Sequence, residues 1–402
     1  MEQQIRDQHL PLALTSWNQE ELDAIQQVIK RDTYSMNEAV FEFERQFAKA
    51  MGGKFAVMVN SGSSANLAAI AALFYTKERR PLQRGEEVIV PAVSWSTTYY
   101  PLYQYGLKIK FVDIDLETLN FDLKSLKEAI TPNTRAIFAV NLLGNSNDFI
   151  AIKEMIANKD ILLLEDNCES MGAKFQGQMT GAIGLMGTYS CFFSHHISTM
   201  EGGLVLTDDE ELHHILLCLR AHGWTRNLPE YNKITGQKDS DPFEESFKFV
   251  LPGYNLRPLE MSGAIGQIQL KKLSNFVEQR RENARYFQNF FKGDKRFWIQ
   301  KEIGESSWFG FSFILKPEFS GLRKKLMAHL REYNIDTRPI VTGNFAKNEV
   351  VKNYFDYTIH GELKNAQYLD ENGFFVGNHH VPMEPQISYL AKVLENFQWS
   401  HS

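Results

Sequence analysis

The residues able to do chemistry sit in a few short strings. Asn60-Ser-Gly-Ser-Ser-Ala-Asn66 follows a strand-like run and opens a helix-like one. Gly62 permits a tight turn there, and Ser63 and Ser64 place hydroxyls where the helix's free N–H groups point outward, a site suited to a phosphate. The same string also reads as a plain serine N-cap. Ile161-Leu-Leu-Leu-Glu-Asp-Asn-Cys-Glu-Ser170 ends an apolar run in carboxylates. Asp166 can pair with a protonated ring nitrogen and Glu169 can reach a ring hydroxyl, or the carboxylates cap the next helix. Trp95, in Pro-Ala-Val-Ser-Trp-Ser-Thr-Thr, can stack on a planar ring or simply fill core. Ser190 is a further hydroxyl at a strand end, or a buried serine bonded to backbone. Five residues on stands His195, followed by His196 and then Gly202-Gly203. An imidazole with its ordinary pKa of about 6.5 moves protons near neutral pH. Adjacent histidines point in different directions and make a poor metal pair, so the alternative is a surface-loop pair with no role. His213-His214, within a helical pattern, reads as a solvated face.

These strings need elements to position them. Ser16 with Gln19 reads as a capping box before the apolar positions Leu22, Ile25 and Ile29. Seven apolar runs then alternate with helical patterns: 55–59, 88–90, 109–112, 136–140, 161–164, 188–193 and 204–206. Continuous apolar strands separated by helices imply a mostly parallel sheet covered on both faces. Asn227 to Glu245 is polar and carries Pro229, Gly236 and Pro242, so it reads as a long loop. Pro258 to Phe291 reads as a helix leading into a second unit, with a strand at Phe311–Leu315, a helix at Leu322–Tyr333 and a helical C-terminal region.

Composition narrows the class. The chain has 402 residues, 43% hydrophobic and 23% charged, which suits a two-domain globular enzyme. A net charge of −6 with no basic tract argues against nucleic acid as a partner. The 12% aromatic content reads as core and subunit interface. Cys168, Cys191 and Cys218 lack C-x-x-C spacing, which predicts buried reduced thiols and neither a disulfide framework nor a metal site. Met1–His9 is polar with no apolar leader segment, and the apolar run Ala65–Tyr75 is too short to span a bilayer. The expectation is a cytoplasmic protein without membrane contact.

In their order along the chain, Ser61-Gly-Ser, Glu165-Asp-Asn-Cys-Glu, Ser190, Glu201-Gly-Gly and Gly253-Tyr-Asn-Leu-Arg257 resemble the DegT/DnrJ/EryC/StrS sugar aminotransferase family of fold-type I pyridoxal phosphate (PLP) enzymes. The resemblance runs from about Leu12 to the C-terminus. It implies an α/β, aspartate-aminotransferase-like fold. A large cofactor domain over residues 1–272 would hold a mostly parallel seven-stranded sheet, with a smaller α/β domain over 273–402. In this family a lysine stands five residues after the phosphate-binding serine. Here His195 stands there, and imidazole forms no Schiff base with an aldehyde, so PLP and its amine form, pyridoxamine phosphate, would be held without a covalent bond.

The long strings Ser194-His-His-Ile, Arg220-Ala-His-Gly-Trp-Thr-Arg-Asn and Ile340-Val-Thr-Gly-Asn are similar to the family's 3-dehydratase branch. That branch removes the C3 hydroxyl of a GDP-linked 4-keto-6-deoxysugar in deoxysugar (colitose, O-antigen) biosynthesis, with glutamate as amino donor and ammonia released. The resemblance implies that Gly62, Ser63 and Ser190 hold the cofactor phosphate, Trp95 stacks on the ring, Asp166 meets the ring nitrogen and Glu169 the ring hydroxyl. Asn255 would reach the phosphate of the neighbouring subunit, making an obligate homodimer with shared sites. His222, Arg226 and Phe247 would border the substrate, and Arg338 would take the glutamate carboxylate or else form a surface ion pair. A His-bearing relative acting on CDP-sugars adds an iron–sulfur cluster on clustered cysteines, a set this chain lacks. The alternatives are a nucleotide-sugar 4-aminotransferase that retains the amine, and a regulator on the same fold, which would carry an appended partner-binding module that the short N-terminus leaves no room for.

Overall fold

The computed structural model describes residues 9–400, so most of the polar Met1–His9 stretch lies outside it. Eight strands form the large sheet, in the order Phe55–Val59, Gly203–Thr207, Met186–Ser190, Leu162–Asp166, Thr134–Val140, Glu87–Pro91, Lys108–Val112 and Tyr357–Ile359. Seven correspond to the expected apolar runs. The eighth, Tyr357–Ile359, returns from the C-terminal part of the chain and pairs parallel to Lys108–Val112. Gly203–Thr207 alone runs against both its neighbours; the other pairings are parallel. The carboxyl ends of the parallel strands therefore face one edge, where ligands bind in open α/β sheets. The strand expected at 188–193 starts two residues earlier and ends three earlier, at Met186–Ser190. Its ladder ends at Ser190 opposite Gly203, and Phe192 and Phe193 leave the sheet half-exposed.

Past its first turn the helix Gly62–Tyr75 is apolar on every face except at the buried Asn66, because it is enclosed, with Ala65, Ala68, Ala69, Ile70, Ala71, Ala72 and Leu73 all buried. A single helix, Glu260–Phe291, runs from the large sheet to a second one. That sheet has three antiparallel strands, Phe297–Ile299, Gly310–Leu315 and Gly373–Gly377. Its core is aromatic: Phe287 stacks on Phe311 at 4.2 Å and Phe313 on Phe374 at 5.1 Å between ring centroids. Much of the chain's phenylalanine is thus spent on the smaller core, where few residues must bury much area.

Four sequence readings need correction. The capping box falls on Asn18 and Glu21, because Ser16 turns away to bond Gln269. His214 is buried and its Nδ1 accepts from the Lys233 backbone, while His213 stacks on Phe55 at 4.5 Å, so that helix face is packed and not solvated. The 227–245 segment is not a bare loop; it carries a two-stranded hairpin and the short helix Pro242–Glu245. The C-terminal region is not wholly helical, since it supplies Tyr357–Ile359 and Gly373–Gly377 to the two sheets.

One buried ion pair ties the first strand to its surroundings. Arg220 is fully buried and meets Glu44, which also accepts from Met58 N at 2.6 Å, while Arg220 donates to Met58 O at 2.8 Å. Removing one partner strands the other charge in a dry site, at a cost of about 3–5 kcal/mol. Arg220→Met should therefore lower the unfolding free energy obtained from urea titration by about 3–5 kcal/mol, and adding Glu44→Gln should restore a large part of the loss. Equal stability of Arg220→Met and the parent would show that the pair carries no load.

Candidate active site

The carboxyl ends of five strands and the turns after them enclose a cavity of about 300 Å³. Gly62 and Ser63 come from the turn after the first strand, Trp95 from the segment after Pro91, and Asp166 and Glu169 from the end of a central strand. Ser190, His195 and Arg338 complete the set. Eight of the twelve residues singled out from sequence are thus brought together. No lysine lines the cavity.

Two glycines make the turn possible. A Cβ on Gly62 would lie 2.7 Å from Ser190 Cβ and 3.1 Å from Cys168 Sγ. A Cβ on Gly203 would lie 2.2 Å from Ser61 O, so its bare backbone lets the turn close down on the sheet. Ser61 caps the helix through Ser64 N at 3.1 Å, leaving Gly62 and Ser63 at the cavity wall. The serine N-cap is therefore present on Ser61, and Gly62 and Ser63 remain free to face the cavity.

Asp166 is 4% exposed. Its Oδ2 accepts from Asn66 Nδ2 at 2.9 Å and the Thr98 hydroxyl at 2.7 Å, and its Oδ1 from Cys168 N at 3.1 Å. Glu169 is half-buried and accepts from Leu143 N at 3.2 Å. Burial pushes its carboxyl up to about 7, against the Leu143 hydrogen bond and the pull of Arg338. Trp95 is 56% exposed, which rules out the core reading and leaves a ring face open to the cavity mouth.

His195 sits on a clamped loop. Cys191 N donates to Gly202 O and Thr199 N to Cys191 O, both at 2.9 Å, closing the loop on itself. The Trp17 indole donates to Ser198 O at 3.0 Å, and Gln269 Oε1 accepts from Ser198 N at 3.0 Å. His196 is buried and bonds Ser307 O at 3.2 Å, so the pair is no surface feature. The His195 ring packs edge-on against Phe309 at 5.3 Å, and its Nδ1 is buried without a hydrogen-bond partner. Its pKa does not stay near 6.5. Burial, then the charges of Arg338 and Arg280, push it down to about 3, so the imidazole is neutral at physiological pH.

Arg338 is held by paired backbone bonds to Phe375 and lies over its ring; its charge acts on Glu169, but it forms no salt bridge among the described residues, against the surface ion-pair reading. Four predicted site residues do not line this cavity. His222, Arg226 and Phe247 gather instead around Trp224, with Arg226 stacked 4.3 Å above its ring. Asn255 is exposed, and its Oδ1 accepts from Arg257 Nε at 3.0 Å. Sequence reasoning missed Asn66 and Thr98. An asparagine within an otherwise apolar helix was the available signal for the first.

The sequence profile of the DegT/DnrJ/EryC1/StrS aminotransferase family matches residues 15–391. The chain belongs to that family. Among family relatives, GDP-4-keto-6-deoxy-D-mannose 3-dehydratase of Escherichia coli O55:H7 is 61% identical over 385 residues, covering 96% of this chain and 99% of the relative. The solved structure of an E. coli GDP-4-keto-6-deoxy-D-mannose-3-dehydratase with bound hydrated PLP is 60% identical with a TM-score of 0.95, covering 96% of this chain and 99% of that one. A second structure of a GDP-4-keto-6-deoxymannose-3-dehydratase, with a trapped PLP-glutamate geminal diamine, is 60% identical with a TM-score of 0.94 and covers 96% and 100%. The cavity fits the family's cofactor on its own terms. It combines a glycine-and-serine cradle, a buried carboxylate and an open indole face, with an imidazole where no amine is present.

The Glu169 shift has a measurable consequence. The folded state binds this proton more tightly than the unfolded chain, so the carboxyl costs stability as pH rises from about 4.5 through 7. Cofactor-free Glu169→Gln should exceed the parent by about 1–3 kcal/mol near pH 8, and by little below about pH 5, in urea unfolding. A pH-independent difference would refute the shift.

Proposed function

We propose that this protein is a PLP- and pyridoxamine phosphate-dependent lyase that removes the C3 hydroxyl of GDP-4-keto-6-deoxy-D-mannose. The observation that carries this reading is a neutral imidazole, with no lysine, in a cavity that brings together Gly62, Ser63, Trp95, Asp166, Glu169 and Ser190. The likeness to 3-dehydratases at 61% identity over almost the whole chain supports the substrate.

Gly62, Ser63 and Ser190 hold the cofactor phosphate, Trp95 covers the ring, Asp166 meets the ring nitrogen and Glu169 the ring hydroxyl. When bound, pyridoxamine phosphate supplies the amine that joins the C4 carbonyl of the sugar and the ring that withdraws electrons from it. His195 takes a proton from the carbon beside that amine and returns one to the C3 oxygen as it leaves. Imidazole makes no covalent bond to an aldehyde, so no amine at this position competes for the cofactor; the sugar leaves as an enamine, and water hydrolyses its imine tautomer at C4 to the ketone and ammonia. Arg338 receives the carboxylate of glutamate, which restores the amine. Overall, the keto sugar and glutamate give the 3-deoxy keto sugar, 2-oxoglutarate and ammonia. The sugar carbon is reduced and the glutamate carbon oxidised by the same two electrons.

The active unit is a homodimer in which His222, Arg226, Phe247 and Asn255 of each chain complete the other chain's site. Support comes from the exposed aromatic side chains in this region, Phe243 at 82%, Phe247 at 66% and Phe249 at 56%. Three free cysteines fit a reducing compartment, and we place the enzyme in the cytoplasm. No helix among the described residues is long and apolar enough to cross a membrane.

Incubation with GDP-4-keto-6-deoxy-D-mannose, PLP and glutamate should yield ammonia and a product lighter by one oxygen. In the same assay His195→Lys should link the cofactor covalently, detectable by borohydride trapping, and lose deoxygenation. A retained 4-amino sugar from the parent would convert the reading to an aminotransferase, and undiminished deoxygenation by His195→Lys would remove His195 from its role. For the shared site, a 1:1 mixture of inactive His195→Asn and Asn255→Ala chains should recover about a quarter of parental activity, since half the dimers are hybrids with one intact site. Failure of any recovery after subunit exchange would place Asn255 outside the neighbouring site.

A further inference from the structure

Asn66 stands four residues past Gly62 and is 2% exposed, surrounded by buried alanines of its own helix. Its amide is fully used. Nδ2 donates to Asp166 Oδ2 at 2.9 Å and Thr97 O at 3.2 Å, and Oδ1 accepts from the Thr188 hydroxyl at 2.6 Å. These contacts fix the amide's orientation, because the flipped form would set its oxygen against a carboxylate and a carbonyl. Asp166 Oδ2 receives one further bond from the Thr98 hydroxyl at 2.7 Å, which in turn pairs with Ser94 Oγ at 2.7 Å.

Each partner of Asn66 belongs to a different wall of the cavity. Thr97 lies two residues after Trp95, Asp166 ends its strand, and Thr188 is on the strand that ends at Ser190. Asn66 itself rides on the helix that begins with the Gly62 turn. One side chain therefore sets the spacing between phosphate turn, indole and carboxylate. Outer contacts of this kind orient the groups that touch a ligand.

We propose that Asn66 is a positioning residue that fixes the Asp166 carboxylate relative to the phosphate turn, and so sets cofactor affinity. This rests on the reading of Asp166 as the partner of the ring nitrogen. The test is a double-mutant cycle on the affinity of the cofactor-free protein for pyridoxamine 5'-phosphate, measured by equilibrium dialysis. Asn66→Ala should weaken binding about tenfold or more, as expected for a lost bond to a charged group, and Asp166→Ala by at least as much. The double variant should bind no more than about threefold more weakly than Asp166→Ala alone, because the deleted amide acts through that carboxylate. A ring-nitrogen 15N signal from labelled cofactor should also move in Asn66→Ala. Additive losses, or an Asn66→Ala affinity within about threefold of the parent, would overturn the proposal. Parental affinity in Asp166→Ala would sink the reading of Asp166 and the proposal with it, whereas a loss confined to Asp166→Ala would sink the proposal alone. Should Asn66→Ala fail to fold, Thr188→Val frees the same amide. Its several-fold loss should vanish in the Asp166→Ala background, and persistence there would overturn the proposal equally.

Discussion

Retention of the cofactor without a covalent bond is the constraint on which the site depends. A lysine tolerates a loose cradle, because the bond keeps the ligand in place while other contacts form and break. With His195 at that position, binding must come from hydrogen bonds, one charge-assisted pair and a stacking face. A net hydrogen bond contributes about 1 kcal/mol and one to a charged group about 1.5–3, while micromolar affinity needs about 8 kcal/mol. No single contact suffices, so the walls must already be in place. On the proposed assignment of the site, the depth of the Asp166 network, the glycine at position 203 beneath Ser61 O and the loop clamped by Trp17 and Gln269 supply that rigidity.

The same dryness sets the protonation states. A buried imidazole near Arg338 and Arg280 stays neutral, and a carboxyl at Glu169 rises toward 7. Base and acid thus exchange their usual habits within one cavity: the histidine stays neutral, and the glutamate is able to keep a proton. Arg280 contributes from outside the cavity. It is buried on the long helix, where it donates to the Phe309 and Asn378 carbonyls, with no carboxylate partner among the described residues. Its charge is therefore felt by His195 and His196 rather than neutralised nearby.

The large sheet was legible because most of its strands carry apolar runs bounded by turn residues, as burial on both faces demands, although Lys108–Val112 alternates and Met186–Ser190 holds Gly, Thr and Ser. Tyr357–Ile359 escaped because three half-exposed edge residues carry no such signature. The capping box slipped by two residues because Ser16 met a partner, Gln269, more than 250 positions away. The first contacts of the site were readable from glycine, serine and acid at strand ends. Asn66 was not assigned, since its role lies in what it holds across three other elements. His222, Arg226, Phe247 and Asn255 rested on resemblance; within one chain the first three gather around Trp224, and Asn255 stands apart with Arg257.

One fold can install an amine or remove a hydroxyl because the two outcomes diverge after the same early proton transfer. A lysine amine competes for the cofactor's aldehyde carbon and returns protons to the substrate carbon, which favours keeping the nitrogen on the sugar. A neutral imidazole does neither job well. On the proposed mechanism it carries a single proton, and the departing hydroxyl is the group that takes it. Selectivity toward elimination then needs no new binding element. It follows from removing one nucleophile while keeping its proton-carrying function, and from walls rigid enough that the cofactor does not drift when the covalent tether is gone.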